Sequence, residues 1–258
     1  MHISIAAEKI GFLFGLPITN SLLATRDVMA VLIVWAYLTT RNMSLVPSYA
    51  QSVGELLVGG FYDFFGSVMG RHIRMVFPLL MSIFFFIITA NWFGLLPGVG
   101  TVGFFKETGH ETEFVPLLRG ATADINMTVA LALVAVFAIQ YFGFKTSGIH
   151  YGKRFINISN PINFFIGVLE IVSEVSKVIS FAFRLFGNIF AGEVLLAGMA
   201  FLMPFLAPLP FLTLELFVGF IQALVFAMLT AVFLNVAIAH GEHEAHLAHS
   251  KEVTKHHE

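Results

Sequence analysis

Residues 162–203 read INFFIGVLEIVSEVSKVISFAFRLFGNIFAGEVLLAGMAFLM, an apolar run that still carries Glu170, Glu174, Lys177, Arg184 and Glu193. Pro161 opens it, and Pro204, Pro208 and Pro210 follow it. Proline removes a backbone donor and breaks helices, so these positions bracket one uninterrupted helix. About 40 residues at ~1.5 Å each give roughly 60 Å, twice the hydrocarbon thickness of a bilayer. A second run, residues 211–239, would reach about 44 Å. Helices this long tilt, bend or continue outside the membrane. The two runs therefore read as a long, tilted antiparallel hairpin.

Composition agrees with a membrane reading. The chain has 258 residues, 57% of them hydrophobic and only 12% charged. Mean hydropathy is +0.86. Soluble domains carry about 25% charge, so a water-soluble enzyme, a nucleic-acid binder and a disordered chain are all excluded. The net charge of −2 gives no broad basic field. With no cysteine, disulfides, thiolate nucleophiles and Cys-based metal sites are excluded as well. The apolar stretch at residues 10–18 is short and contains Pro17. It does not read as a cleaved signal, and residues 1–21 are expected to remain as an external N-terminal segment.

Three further spans are expected at residues 22–40, 76–96 and 125–144. Residues 50–70 differ. Val53, Leu56, Leu57, Phe61, Phe64, Phe65 and Val68 recur at helical spacing, with Glu55, Tyr62 and Asp63 on other faces. That pattern predicts an amphipathic helix lying in the interface. The fold class is all-α and polytopic: five transmembrane helices plus one interfacial helix, in a single membrane domain. Five spans put the termini on opposite sides. Arg41, Arg71, Arg74, Lys145, Lys153 and Arg154 share one side, against Lys9, Arg26, Lys106 and Arg119 on the other. The positive-inside rule then puts the C-terminus in the cytoplasm and the N-terminus outside.

Two apparent motifs fail. Gly98, Gly100 and Gly103 match G-x-G-x-x-G but follow an apolar helix and Pro97 rather than a strand. No GxxxxGK[ST] loop exists, so no nucleotide site is expected. The polar tail, residues 240–258, holds His240, His243, His246, His249, His256 and His257. It reads as a solvated cytoplasmic tail rather than a metal site. There is no internal repeat of the kind secondary transporters use.

The informative residues are the charges within the hairpin, because each costs roughly 2.5–3.5 kcal/mol at membrane depth and normally faces water or a partner. At ~100° per residue, Lys177 and Arg184 lie within about 20° of one face, and Glu170 about 40° off that line. Ser173, Ser176, Ser180, Gly187, Asn188 and Ala191 flank this stripe, small enough to admit another helix closely. Glu193 lies about 13 Å beyond Arg184 and on the opposite face. Glu215 returns to a similar depth on the second helix, and Gln222 comes back toward the level of Arg184. Glu174 or Glu170 can pair with Lys177 on one helix. Arg184 has no acid at i±3 or i±4, so its partner comes from elsewhere.

Arg184-Leu185-Phe186-Gly187-Asn188 followed by Ala191-Gly192-Glu193 resembles the signature of the a subunit of rotary F-type ATP synthases. Glu170, Gln222 in FIQALVFAMLTAVF, NWFGLLPG and ADINMT fit the same pattern in the same order across nearly the whole chain. The resemblance implies a bacterial inner-membrane stator subunit that conducts protons between two half-channels by way of a rotor c-ring. It is not a catalyst by itself. Arg184 would face the ring. Glu193, Glu215 and Gln222 would line or border the outer half-channel, with Asn188 one turn from Arg184. Glu170, Ser173 and Ser180 would belong to the cytoplasmic half-channel, with Glu174 and Lys177 beside them. Many relatives carry a His at one of the Glu193 or Glu215 positions; here both are Glu. The implied partners are the c-ring, peripheral-stalk b subunits and membrane lipid. No cofactor, metal, nucleic acid or directly bound nucleotide is expected.

Simple physics supports that assignment of roles. Arginine stays protonated at any relevant pH, so it can discharge a passing carboxylic acid without carrying the proton. Carboxyls can relay protons because burial tunes their affinity for them. Two other readings compete. A stand-alone proton-coupled transporter predicts substrate uptake by this chain alone. A non-transporting scaffold predicts that Arg184, Glu193 and Glu215 are dispensable together.

Overall fold

A computed structural model describes residues 8–13, 16–41, 43–45, 47–108, 111–152, 155, 161–203 and 208–255. The expected positions Lys153, Arg154, Pro204, His256 and His257 lie outside them. Two strands, β1 (Lys9–Leu13) and β2 (Leu16–Thr19), pair antiparallel ahead of helix α1 (Asn20–Thr40). Thr19 ends the strand and caps the helix, its hydroxyl accepting from Leu22 N at 3.3 Å. Helix α2 (Tyr49–Met69) starts at Ser48, whose hydroxyl accepts from Gln51 N. It stops at Gly70, where φ is +53°, a left-handed value that favours glycine. A 3₁₀ turn, Gly70–His72, leads directly into α3 (Ile73–Gly94).

A second hairpin follows, β3 (Gly103–Thr108) against β4 (Glu111–Pro116). A 3₁₀ turn at Ala121–Ala123 then delivers the chain to α4 (Ile125–Ser147), capped by Asp124, whose Oδ1 accepts from Asn126 N at 3.0 Å. After the short α5 (Ile149–Gly152) come α6 (Pro161–Leu202, 42 residues) and α7 (Pro208–Lys255, 48 residues). Pro208 and Pro210 fall in the first turn of α7, where a missing N–H leaves no helical bond unmade. α7 does not stop where the apolar run ends; it continues as helix through the His-rich segment.

The all-α reading holds. Among the described residues, five helical stretches are long and apolar enough to cross a membrane: Asn20–Thr40, Gln51–Gly94, Ile125–Thr146, Ile162–Leu202 and Pro208–Ala239. The second joins α2 and α3 into one apolar stretch of 44 residues.

Helices α3, α4, α6 and α7 share one core, which α2 closes from the side through Phe65 and Met69. Ala223, Ala227 and Ala231 recur every fourth residue on α7 and are fully buried, as are Ala132 and Ala135 on α4. Small residues at this spacing let helix backbones approach closely. Phe181 of α6 packs on Phe226 of α7 with ring centroids 4.7 Å apart. Outside, Ile33, Val34 and Leu38 on α1 and Phe165, Val172 and Ile179 on α6 are exposed. In lipid such apolar exposure costs nothing. Two side chains pin α3 to α7: Asn91 Nδ2 donates to Gly219 O at 3.0 Å, and Trp92 Nε1 to Leu216 O at 3.1 Å.

Candidate functional site: an ion path along the α6–α7 hairpin

Arg184 lies halfway along α6, half-buried, on a face that is small and polar because Ser173, Ser180, Gly187, Asn188 and Ala191 are exposed along it. One guanidinium nitrogen donates to Ser180 Oγ at 3.2 Å, one helical turn earlier. The other terminal nitrogen is buried without a hydrogen bond among the described residues. Among the described residues no carboxylate forms an ion pair with it. The groove in front of it encloses about 270 Å³ and is lined by Ser173, Lys177, Ser180 and Arg184 of α6 and by Leu229 and Phe233 of α7. Lys177 is already committed at the groove's wall: its Nζ donates to Glu174 Oε1 at 2.6 Å and sits 4.9 Å from the Phe233 ring centroid. This is the i,i+3 pairing open to it on one helix.

Beyond Arg184 the path changes character. Asn188 Nδ2 donates to Gln222 Oε1 at 2.5 Å, bridging the two helices at one level. Further along, Glu215 of α7 is only 6% exposed, and its Oε2 has no hydrogen-bond partner among the described residues. The Glu215 carboxyl rests directly against Gly192, in space that a side chain there would occupy. Glycine thus makes the pocket for the acid. Gly192→Ala is expected to displace the carboxyl rather than unfold the hairpin, since the crowded atoms belong to a flexible side chain. Ion transport should fall about tenfold while stability drops by only about 1–2 kcal/mol, because the helix gain of alanine over glycine offsets part of the crowding; transport assays and melting of the detergent-solubilised protein check the two halves.

Glu193, next in sequence, faces away from Arg184 and receives Arg119 Nη2 on its Oε2 at 3.3 Å. Arg119 comes from the loop before α4. No local pattern marks it, because 74 residues separate the partners. Asp124 nearby is also buried and accepts from Ser21 Oγ of α1 at 2.7 Å.

The structure thus brings Ser173, Ser180 and Arg184, with Lys177 and Glu174, to one groove. It brings Asn188 to Gln222, and Glu215 to the turn carrying Glu193. Glu170 is half-buried on α6, does not line the groove, and lies about 21 Å from Arg184 along the helix. Chemically this is a set of carboxyl, amide and hydroxyl groups on both sides of Arg184, with Lys177 and Arg119 each paired to a carboxylate.

The family model described as ATP synthase A chain matches residues 22–235. ATP synthase subunit a of Syntrophobacter fumaroxidans is 36% identical over 214 residues, 83% of this chain and 82% of that protein. ATP synthase subunit a 3 of Pelobacter propionicus is 36% identical over 211 residues, 81% of this chain and 82% of that protein. A Propionigenium modestum relative described as sodium ion specific is 32% identical over 239 residues, 92% of this chain and 80% of that protein. The match begins in α1 and ends in α7, so it takes in the groove, the glycine pocket and the loop arginine together: the chain belongs to the ATP synthase a-subunit family.

Proposed function

We propose that this chain carries protons to and from a rotor c-ring, with Arg184 facing the ring between two offset half-channels. By family it is a non-catalytic, multi-pass subunit of the membrane sector of a bacterial ATP synthase. One observation carries the finer reading. Arg184 opens onto a groove, bonds Ser180, and pairs with no carboxylate among the described residues. A permanent cation at membrane depth needs a counter-charge. The ionised carboxylate of a passing rotor subunit supplies one from outside the chain.

Protons enter from outside along Glu193, Glu215, Gln222 and Asn188 and reach the ring on that side of Arg184. They leave on the other side past Ser180 and Ser173 toward Glu170, with Glu174 and Lys177 beside the exit. Arg184 attracts each arriving carboxylate but gives up no proton, so the two halves do not short-circuit. A membrane potential contributes about 2.3 kcal/mol per proton per 100 mV, which biases rotation and drives ATP synthesis. With α2 lying along the interface, the N-terminus is outside and the C-terminus cytoplasmic, in a bacterial inner membrane where peripheral-stalk b subunits hold the chain still.

The test is to purify the chain in mild detergent, weigh what accompanies it, and assay ATP-driven acidification in vesicles without added sodium. A ring of small hairpin proteins with a mid-membrane carboxylate, together with acidification, is expected. A bare monomer across several detergents would overturn the stator reading. Pumping that requires Na⁺ would overturn the choice of proton as the ion.

A further inference from the structure

Arg119 stands outside the membrane helices, in the loop between β4 and α4, yet its side chain is 7% exposed while that of Glu193 is 38% exposed. The base of the pair is enclosed and its acid is accessible. The loop under Arg119 is fixed on both sides. Leu117 N donates to Val102 O at 2.8 Å, Gly100 N to Leu118 O at 2.9 Å, and Ala123 N to Gly120 O at 3.1 Å. Gly120, the next residue, packs so closely on the end of α3 that a Cβ on Gly94 would stand 3.4 Å from its Cα. The backbone therefore holds Arg119 in place, and the guanidinium meets α6 at a set position.

Glu193 has a second neighbour. The Glu215 carboxyl lies against Gly192, the adjacent residue of α6. Among the described residues, the charged groups beside Glu193 include Arg119 from the loop and Glu215 from α7, with Arg184 on the far face of α6.

We infer that Arg119 is a positioning residue for the outer ion path, holding Oε2 of Glu193 so that Oε1 is presented to the incoming proton and to Glu215. The inference rests on the proposed role of Glu193 as a relay. A proton from external water forms an O–H bond on Glu193 and loosens the guanidinium contact. That bond then breaks as the proton passes to the Glu215 carboxylate, and the Glu193 anion returns to Arg119. Arg119 keeps all its protons throughout.

A double-mutant cycle in vesicles carrying the whole complex tests this, with pumping normalised to assembled c-ring. Arg119→Gln should slow ATP-driven proton pumping about tenfold, and Arg119→Lys should restore at least half of the loss. In a Glu193→Gln background the same Arg119→Gln change should add less than twofold. A full tenfold loss in that background, or a lysine no better than glutamine, would overturn the inference and leave Arg119 as loop architecture. If Arg119→Gln does not assemble, Arg119→Lys and Glu193→Asp serve instead. Their combination should lose less than the product of the single losses, and simple multiplication would overturn the pairing. Pumping at the parent rate in Glu193→Gln alone would overturn the relay role of Glu193 itself, and the inference with it.

Discussion

Arg184→Ala is expected to stop ATP-driven proton pumping while leaving the subunit folded and its partners bound. Two charges about 4 Å apart at an effective dielectric near 20 attract by about 4 kcal/mol. Losing that attraction between Arg184 and a rotor carboxylate corresponds to about a thousandfold in rate. Folding should not suffer, because the side chain is half-buried, its bond to Ser180 is exposed, and one of its nitrogens is unbonded in the resting chain. Arg184→Lys keeps the charge but replaces a rigid fork with a point cation able to release its proton. It should fall between the parent and Arg184→Ala. Quenching of a pH-sensitive dye in inverted vesicles, normalised to c-ring content, reads the rate. Pumping above about a tenth of the parent in Arg184→Ala would remove Arg184 from the centre of the path.

Glu215→Leu should separate function from stability. The acid is buried, one of its oxygens has no partner, and it sits in a pocket cut by a glycine. A buried polar atom left unbonded costs about 1–3 kcal/mol. Exchanging it for an apolar side chain of similar volume is often neutral or stabilising. The variant should therefore melt no lower than the parent, and higher if Leu fills the pocket without strain. Transport should fall at least about a hundredfold, because leucine can neither accept nor release a proton. Melting in detergent and dye quenching, measured on one preparation, decide both points. A clearly lower melting temperature would show that Glu215 serves the fold through a contact it lacks in the resting chain.

The membrane class and the long hairpin are legible because they rest on local properties: apolar runs of sufficient length, prolines at their ends, and charges too costly to bury without use. The return of Gln222 toward the level of Arg184 is legible for the same reason, since helix geometry and one reversal fix its depth; its bond to Asn188 is seen only in the structure. The α7 end is not legible from polarity. Residues 240–255 hold three Glu, two Ala and two Lys and contain no proline, so the helix continues after hydropathy has fallen. Polarity marks where a chain leaves the bilayer, not where it stops being helical. The two small hairpins escape for a different reason. Segments of four to six residues, such as GFFKET and ETEFVP, are too short to set a period against their neighbours. Arg119 escapes because its meaning lies in a contact to Glu193 across the fold. In sequence it is one more basic residue in a loop between spans.

The pins from Asn91 and Trp92 acquire a mechanical meaning in a stator. On the proposed function, a rotor that pushes on Arg184 would push equally on α6, and that reaction would have to leave through the rest of the subunit. α7 is the next helix in line, and the two side chains from α3 grip it at Leu216 and Gly219, between Glu215 and Gln222. The two turns of α7 that carry the proposed relay groups Glu215 and Gln222 are therefore also the turns held by α3. If force enters α7 there, the two hydrogen bonds from α3 would resist a shift of Glu215 out of its glycine pocket.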